Sequence, residues 1–360
     1  MEKILIWGTG KISEQALEQC DVFSLYDVLG FIDNDVNKIG TYFYNREIFA
    51  SSILGVIQPD KIVILTASYE EIKRQIEREF PPMVNIVESM SFFYKQSLIK
   101  RYQDSRDPEI IQILNYLQTN DLQTFNYDFT EKYRNLEIEI QFDENCSMYF
   151  VYHNGKRLYF SKSLKSRERA AEYYRSILIE QDAGSPHKYT DENFGVEDGD
   201  VVVDIGVAEG NFSLQIVDRV SKLYIIESDD EWIEALRETF RNYGDKVIII
   251  KKFITSINLG KYATLDQLIE EPVNFIKMDI EGNEWDALLG AEKLIARSND
   301  LKCAICAYHG DFDEILIKNI LMKYGMEISV TEGYMWFFGT VRQTYVSTRL
   351  CRGIVRGIKE

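Results

Sequence analysis

The sequence predicts an α/β protein of two parallel-sheet domains, the smaller one first, joined by a stretch of helix and hairpin. Three observations carry this expectation. Short apolar runs alternate with segments of helical spacing in two separate parts of the chain, the pattern of parallel strands joined by helical crossovers. A run in each part ends in a glycine-rich turn, at Gly8-Thr9-Gly10 and at Gly206 to Gly210. The length, 360 residues, is enough for two cores of ordinary size. The second sheet is expected to have seven strands, mostly parallel.

Composition narrows the function classes. A chain that is 45% hydrophobic and 28% charged reads as globular. Its 41 basic and 58 acidic residues leave a net charge of −17, which repels phosphate backbones, so no nucleic-acid partner is expected. The opening run I-L-I-W is too short for a signal peptide or a membrane span, and no other segment reaches the length that either needs. Five cysteines, an odd number without an export signal, point to a reducing compartment and a cytoplasmic location. Cys303 and Cys306 lie three apart on a strand-like run and should face opposite sides of it, as core residues rather than a redox or metal pair.

Residues 1–95 form the first expected domain. Runs at 3–7, 28–32 and 61–65 read as strands, with helical spacing from Ile12 to Cys20 and from Tyr69 to Phe80. The first strand enters Gly8-Thr9-Gly10, and the second ends at Asp33, where a ribose-binding acid sits in a dinucleotide fold. Gly8, Gly10 and Asp33 are therefore the candidates for a bound nucleotide, nucleotide sugar or NAD. Ser13 stands where the third glycine of that fingerprint belongs, which favours a half-size structural or partner-binding unit. With its string G-F-I-D-N-D-V-N-K-I-G, this stretch resembles the small Rossmann-like domains found beside sugar-modifying transferases.

Residues 96–184 read as a connecting region. A polar helical stretch leads to alternating runs around Asn154-Gly155, a strong hairpin signal. His153, beside that turn, is expected to be exposed. Ala170, Ala171, Tyr174, Ile177 and Leu178 then share one face of a helix that should cover the second sheet.

At 201–212 the sequence V-V-V-D-I-G-V-A-E-G-N-F gives a buried strand, an acid and a glycine loop before the next helix. This combination suits S-adenosylmethionine, whose amino-acid end must lie against bare backbone. Gly206 and Gly210 allow that approach, and Asp204 can orient the loop or attract the ammonium. One strand-helix-strand unit later, Glu227 ends K-L-Y-I-I-E, placed to accept from both ribose hydroxyls. Glu209, Asn211, Ser228 and Asp279 complete the expected cofactor set. Trp232 is either an adenine wall or helix packing.

The segment from about 185 to 340 resembles the FkbM-type family of methyltransferases. The residues that carry the resemblance are S-P-H-K-Y at 185–189, G-D-V-V-V-D-I-G-V-A-E-G-N, T-L-D-Q-L at 264–268, F-I-K-M-D-I-E-G-N-E at 275–284 and L-L-G-A at 288–291. The resemblance implies a class I methyltransferase-like Rossmann fold over residues 185–345. It also implies methyl transfer from S-adenosylmethionine, mostly to oxygen, on sugars of surface polysaccharides or on secondary metabolites. The acceptor would be a small molecule or glycan.

The strand F-I-K-M-D-I carries charges that are costly in a central strand unless they serve something. Asp279, Glu281 and Glu284 should emerge at its carboxyl end beside the sulfonium, and Lys277 either pairs with Asp279 or joins them. The next strand, C-A-I-C-A-Y, delivers His309 to the same edge, the best general-base candidate, with Asp279 and Glu281 as catalytic partners. The alternative role for Asp279, Glu281 and His309 is to hold a divalent metal that acidifies a hydroxyl. His187 reads as a loop residue, or as part of a lid over the cofactor. An antiparallel pair is expected near 326–340 and a solvated basic tail at 346–360, rich in Arg349, Arg352, Arg356 and Lys359. Two rival functions are a dehydrogenase built on Gly8, Gly10 and Asp33, and a binding module that has lost methyl transfer. A homo-oligomer is compatible with the sequence.

Overall fold

In the computed structural model, residues 1–337 and 348–360 are described. They form two compact units: residues 1–127 with 336–337 and 348–350 make the first, and residues 128–335 with 351–360 make the second. The stretch 96–184, expected as a connecting region, therefore divides. The helix Met90–Tyr102 buries Phe93, Tyr94 and Leu98 in the first unit, followed there by Pro108–Leu117, whose Asp107 caps Glu109 N. The hairpin and the helix Arg167–Glu180 belong to the second unit.

The first unit holds β1 (Lys3–Trp7), β2 (Asp27–Ile32), β3 (Tyr42–Phe43), β4 (Arg46–Phe49), β5 (Lys61–Ile64) and β6 (Val87–Ser89), in the sheet order β3-β4-β2-β1-β5-β6. All neighbours pair parallel except β3 with β4. The apolar strands that periodicity marks are the three central ones, and Ile4, Leu5, Ile6 and Trp7 are essentially buried. Ile72 and Ile76, four apart, place one stripe of the helix Tyr69–Glu79 on this core.

The second unit opens with β7 (Gln141–Asp143), β8 (Met148–His153) and β9 (Lys156–Tyr159), a three-stranded antiparallel sheet. Asn154 and Gly155 both take positive φ, as the two-residue turn between β8 and β9 requires. His153 is half-buried rather than exposed: its Nδ1 lies 2.9 Å from the Tyr174 hydroxyl, because the hairpin packs on the helix Arg167–Glu180.

The main sheet follows: β10 (Val201–Ile205), β11 (Lys222–Glu227), β12 (Val247–Lys251), a two-residue pair β13 (Phe253–Ile254) and β14 (Tyr262–Ala263) outside it, β15 (Phe275–Met278), β16 (Leu301–Cys306), β17 (Glu327–Val330) and β18 (Ile354–Lys359). Its order is β12-β11-β10-β15-β16-β18-β17, seven strands of which only β18 runs against its neighbours. The fold class is the expected one. Side-chain alternation sends Val202 and Phe275 into one core under the helix Arg167–Glu180, and Val203, Ile276 and Met278 into the other. Each fully buried Val or Ile contributes about 1.5–3 kcal/mol. Cys303 and Cys306 likewise enter opposite cores, and burial pushes the Cys303 thiol up to about 12.

Two expectations about the C-terminus are corrected. The partner of β17 is β18, not a strand before residue 340, and residues 338–340 of the expected pair lie outside the described residues. Nor are residues 354–359 a solvated tail: they fill the slot between β16 and β17. Their positive charges are matched inside the unit. Arg356 pairs with Asp191 and donates to Lys188 O, and Lys359 donates to the carbonyls of Ile295, Ala296 and Ser298 at a helix end. Among the described residues, no helix is long and apolar enough to cross a membrane.

Candidate active site

The site grows from a register. Asp204 of β10 lies directly opposite Lys277 of β15, and both side chains point to the same sheet face, into an otherwise apolar layer. They are 1% and 4% exposed and 3.1 Å apart. Burial drives Lys277 toward its neutral form, but Asp204 and Asp279 outweigh it and hold the ammonium charged. Burial also raises Asp204, less the pull of Lys277. Lys277 thus pairs with Asp204, not with Asp279.

That pair builds the glycine loop. Lys277 Nζ donates to Gly206 O at 2.7 Å, and Ser213 Oγ donates to Asp204 Oδ2 at 2.7 Å, fixing the loop to the helix Asn211–Ile216 behind it. Asp204 orients the loop, one of the two roles expected for it. Gly206 has φ +70°, and a Cβ there would sit 1.7 Å from Asp279 O. The neighbouring strand alone therefore demands glycine, before any ligand does. Gly210, φ +89°, precedes the helix in the left-handed conformation.

Glu227 ends β11 with its carboxylate turned into the same loop. Oε2 accepts from Ala208 N at 3.0 Å, and Oε1 accepts from Ser228 N and Asp229 N at 2.6 and 2.9 Å. Two loops are thereby tied to one acid, which keeps one lone pair, on Oε2, for a ligand hydroxyl. Asn211 Oδ1 accepts from Phe212 N at 2.7 Å. Glu209 is buried and accepts from the Tyr173 hydroxyl at 2.7 Å, and burial raises its pKa. Tyr173 stacks on Trp232, ring centroids 5.4 Å apart, so Trp232 packs against this helix. Ile177 and Glu180 follow Tyr173 at four and seven residues, on one helix face. The Glu180 carboxyl is pushed up to about 8, by burial first and then by Asp279 and Glu209. An acid on an otherwise apolar helix face was the available sequence signal for Glu180, and the composition of that segment hid it.

Asp279, just beyond β15, is the centre of the site. Its Oδ2 accepts from Tyr189 at 3.0 Å, and its Oδ1 lies 3.3 Å from the Tyr308 hydroxyl and 3.5 Å from His309 Nε2. Burial alone would raise it, but His309, Lys277 and His187 overcome that and hold it at about 2. His187 Nε2 is 3.6 Å from Asp279 and 3.0 Å from the Tyr308 hydroxyl. Burial lowers this imidazole to about 4, leaving it neutral at neutral pH. It lies in a turn between the helix Arg167–Glu180 and β10, as a loop residue would, but is buried within the site.

His309 is brought to Asp279 as expected. Its Nδ1 is 3.0 Å from Glu284 Oε1. Burial disfavours its charged form, yet Glu284 and Asp279 raise its pKa overall. Glu281 does not join them. It sits exposed at φ +57° in the turn, with Gly282 at φ +93° following. Glu284, completely buried on the first turn of the helix Glu284–Leu289, takes its place, with Oε1 accepting from Ile280 N at 2.8 Å. The turn at Glu281-Gly282 reverses the chain, so the inward acid is five residues beyond Asp279 rather than two. Together Asp279, Glu284 and His309 have the donor types and spacing to hold a metal ion.

In the first unit Gly8 and Gly10 flank Thr9, whose hydroxyl donates to Asp33. A Cβ on Gly8, φ +121°, would lie 2.6 Å from Leu65 O, and Ser13 Oγ donates to both Gly8 O and Leu65 O. Asp33 accepts from Thr9, from Lys38 Nζ at 2.9 Å and from Asp35 N at 2.9 Å. Its carboxylate is engaged within the unit, and Ser13, the departure from the fingerprint, closes the loop on itself.

Comparison with known proteins gives two family matches, the methyltransferase FkbM domain at residues 261–324 and the C2185-like N-terminal domain at residues 1–86. No curated protein matches the chain in sequence. Similar solved structures include methyltransferase FkbM from Methylobacillus flagellatus, 17% identical, covering 99% of this chain and 90% of that one at a TM-score of 0.44. Another is a putative methyltransferase from Streptococcus mutans in complex with S-adenosylhomocysteine, 13% identical, covering 46% of this chain and 91% of that one at 0.34. A third is the magnesium protoporphyrin IX methyltransferase from Synechocystis with bound S-adenosylmethionine, 17% identical, covering 45% and 71% at 0.31.

Proposed function

We propose, from the premise that residues 261–324 are a methyltransferase FkbM domain, that this chain methylates a hydroxyl oxygen of a sugar or sugar-like small molecule. The second unit is an S-adenosylmethionine-dependent methyltransferase domain. The finer reading rests on one observation, the cluster around Asp279. It gathers ionised Asp279, the Tyr189 and Tyr308 hydroxyls, two imidazoles and Glu284 at the carboxyl edge of the parallel sheet, next to the glycine loop. Such an edge is where ligands bind in this class of sheet. Polar groups with both donors and acceptors suit a polyhydroxylated, uncharged acceptor, and the net charge of −17 argues against a polyanionic one.

In this reading the cofactor's ribose lies on Glu227 and its amino-acid end on the loop from Gly206 to Asn211, with Glu209 and Ser228 alongside. Asp204 and Lys277 hold that loop without touching the ligand. The acceptor hydroxyl meets the methyl beside Asp279, and the cluster of Asp279, His309 and Glu284 eases loss of its proton. Positioning supplies much of the rate of such a displacement, and proton transfer adds about 10²–10⁴-fold. Synthesis of surface polysaccharide or of a secondary metabolite, in the cytoplasm, is the setting this chemistry fits.

The test is a mass-spectrometric screen of S-adenosylmethionine with nucleotide sugars, free sugars and glycans, each product mapped to O, N or C. An O-methylated sugar is expected, with turnover about 10²–10⁴-fold lower for His309→Ala. Methylation only at nitrogen or carbon, or only on nucleic acid, would overturn the reading.

A further inference from the structure

Within the edge just described, Glu284 is anomalous for a group that only orients its neighbours. The residue is 0% exposed, and its Oε1 accepts from Ile280 N, but its Oε2 is buried without a hydrogen-bond donor among the described residues. A buried carboxylate oxygen left without a partner keeps the full cost of leaving water, so such oxygens call for an explanation. The adjacent charges deepen the anomaly. Lys277 makes its ion pair with Asp204, and the imidazole of His309 lies between Asp279 and Glu284, at 3.5 Å from the one and 3.0 Å from the other. One ligand atom from each of Asp279, Glu284 and His309 can be chosen so that all lie within 4.8 Å of one another. Ligands about 2.1–2.4 Å from a common ion lie no farther apart than this.

We propose that Asp279, Glu284 and His309 bind a divalent cation of the Mn²⁺ or Mg²⁺ class. Two carboxylates and one imidazole supply oxygen-rich coordination with open positions for water or a hydroxyl. The orienting donors are already in place around it. Tyr189 and Tyr308 approach the two Asp279 oxygens at 3.0 and 3.3 Å, and Ile280 N fixes Glu284. Asp279 directly follows β15, His309 lies three residues beyond β16, and Glu284 stands on the first turn of the helix Glu284–Leu289. The sulfur of Cys306 belongs to a second group, with His187 at 3.8 Å and the same Asp279, whose soft thiol suits an oxygen-preferring ion less well.

The role of the ion rests on the transfer proposed above. A hydroxyl bound to it loses its proton to solvent water. Its oxygen then forms the new bond to the methyl carbon as the carbon–sulfur bond breaks, and that bond's electron pair stays on sulfur, giving neutral S-adenosylhomocysteine.

The experiment uses the full chain, stripped with chelator and titrated with Mn²⁺ while free ion is followed by electron paramagnetic resonance. One tightly bound equivalent is expected. Asp279→Asn and Glu284→Gln should each weaken it about tenfold or more, while Glu281→Gln, at the exposed acid two residues from Asp279, should bind like the parent. Circular dichroism identifies a variant that has not folded, and the other variant then decides. No binding by the parent, or equal binding by all three variants, overturns the site, the second outcome assigning the ion to the general acidity of the chain. S-adenosylhomocysteine binding by the unaltered protein is measured alongside. Its loss counts against the transferase reading, whereas its presence without Mn²⁺ binding counts only against the ion.

Discussion

Two acids in adjacent strands do different work, and single substitutions separate them. Glu227 is bound by three backbone N–H groups from two loops and also faces the expected ribose position. Glu227→Ala should weaken S-adenosylhomocysteine binding about ten- to a hundred-fold by calorimetry, the value of a charged acceptor. Unchanged affinity would remove it from the site. Asp204 and Lys277 act on stability instead. Lys277→Met leaves Asp204 charged and alone at 1% exposure, so urea denaturation should show a loss of about 3–5 kcal/mol. The double change Asp204→Asn with Lys277→Met should recover much of it, because no uncompensated charge remains. A double variant as unstable as the single one would mean that the hydrogen bonds to Ser213 and Gly206 matter more than charge balance.

At the level of elements, the glycine loop is set by strand packing as much as by a ligand. Gly206→Ala places a methyl group against Asp279 O at a backbone angle that favours glycine. It should lower the thermal midpoint of the second unit even without cofactor, and a midpoint equal to the parent's would show that the two strands can separate there. The hairpin carries a pH signature of its own. Burial against Tyr174 lowers the His153 pKa below its ordinary 6.5, with Lys156 adding to the shift. Folding therefore favours the neutral ring. The stability it contributes is present above about pH 6.5 and is lost as pH falls through the lower folded value. The difference in unfolding free energy between the parent and His153→Asn should shrink from pH 7.5 to pH 5, and a constant difference would place the ring in solvent.

For the molecule as a whole, the change of unit between residues 127 and 128 predicts where the chain can be cut, with residues 336–337 and 348–350 of the first unit remaining on the second fragment. A cut at residue 95 would bisect the helix Met90–Tyr102 and expose Leu98, whereas residues 128–360 retain the hairpin sheet, the helix Arg167–Glu180 and the seven-stranded sheet together. The fragment 128–360 should bind S-adenosylhomocysteine within a few-fold of the full chain, as calorimetry would show. A folded fragment without that affinity would place part of the cofactor site in the first unit.

What the sequence determined by itself was what local pattern encodes. Runs such as V-V-V-D-I and F-I-K-M have to be buried parallel strands, because charge is sparse in them and apolar side chains occupy both faces. The Asn-Gly turn and the glycine loop have to turn where they do, because few residues tolerate those backbone angles. Asp204, Glu227, Asp279 and His309 were legible for the same reason, standing at strand ends in a repeating unit. Tertiary structure decided partnerships, since these depend on register and reversal rather than on spacing. The pairing of Lys277 with Asp204 needed β10 and β15 side by side. The substitution of Glu284 for Glu281 needed a turn that aims one acid at solvent and the other inward. The last strand, read as a basic tail, needed its slot between β16 and β17, where the carbonyls of a helix end and Asp191 match the charges that in sequence alone look free.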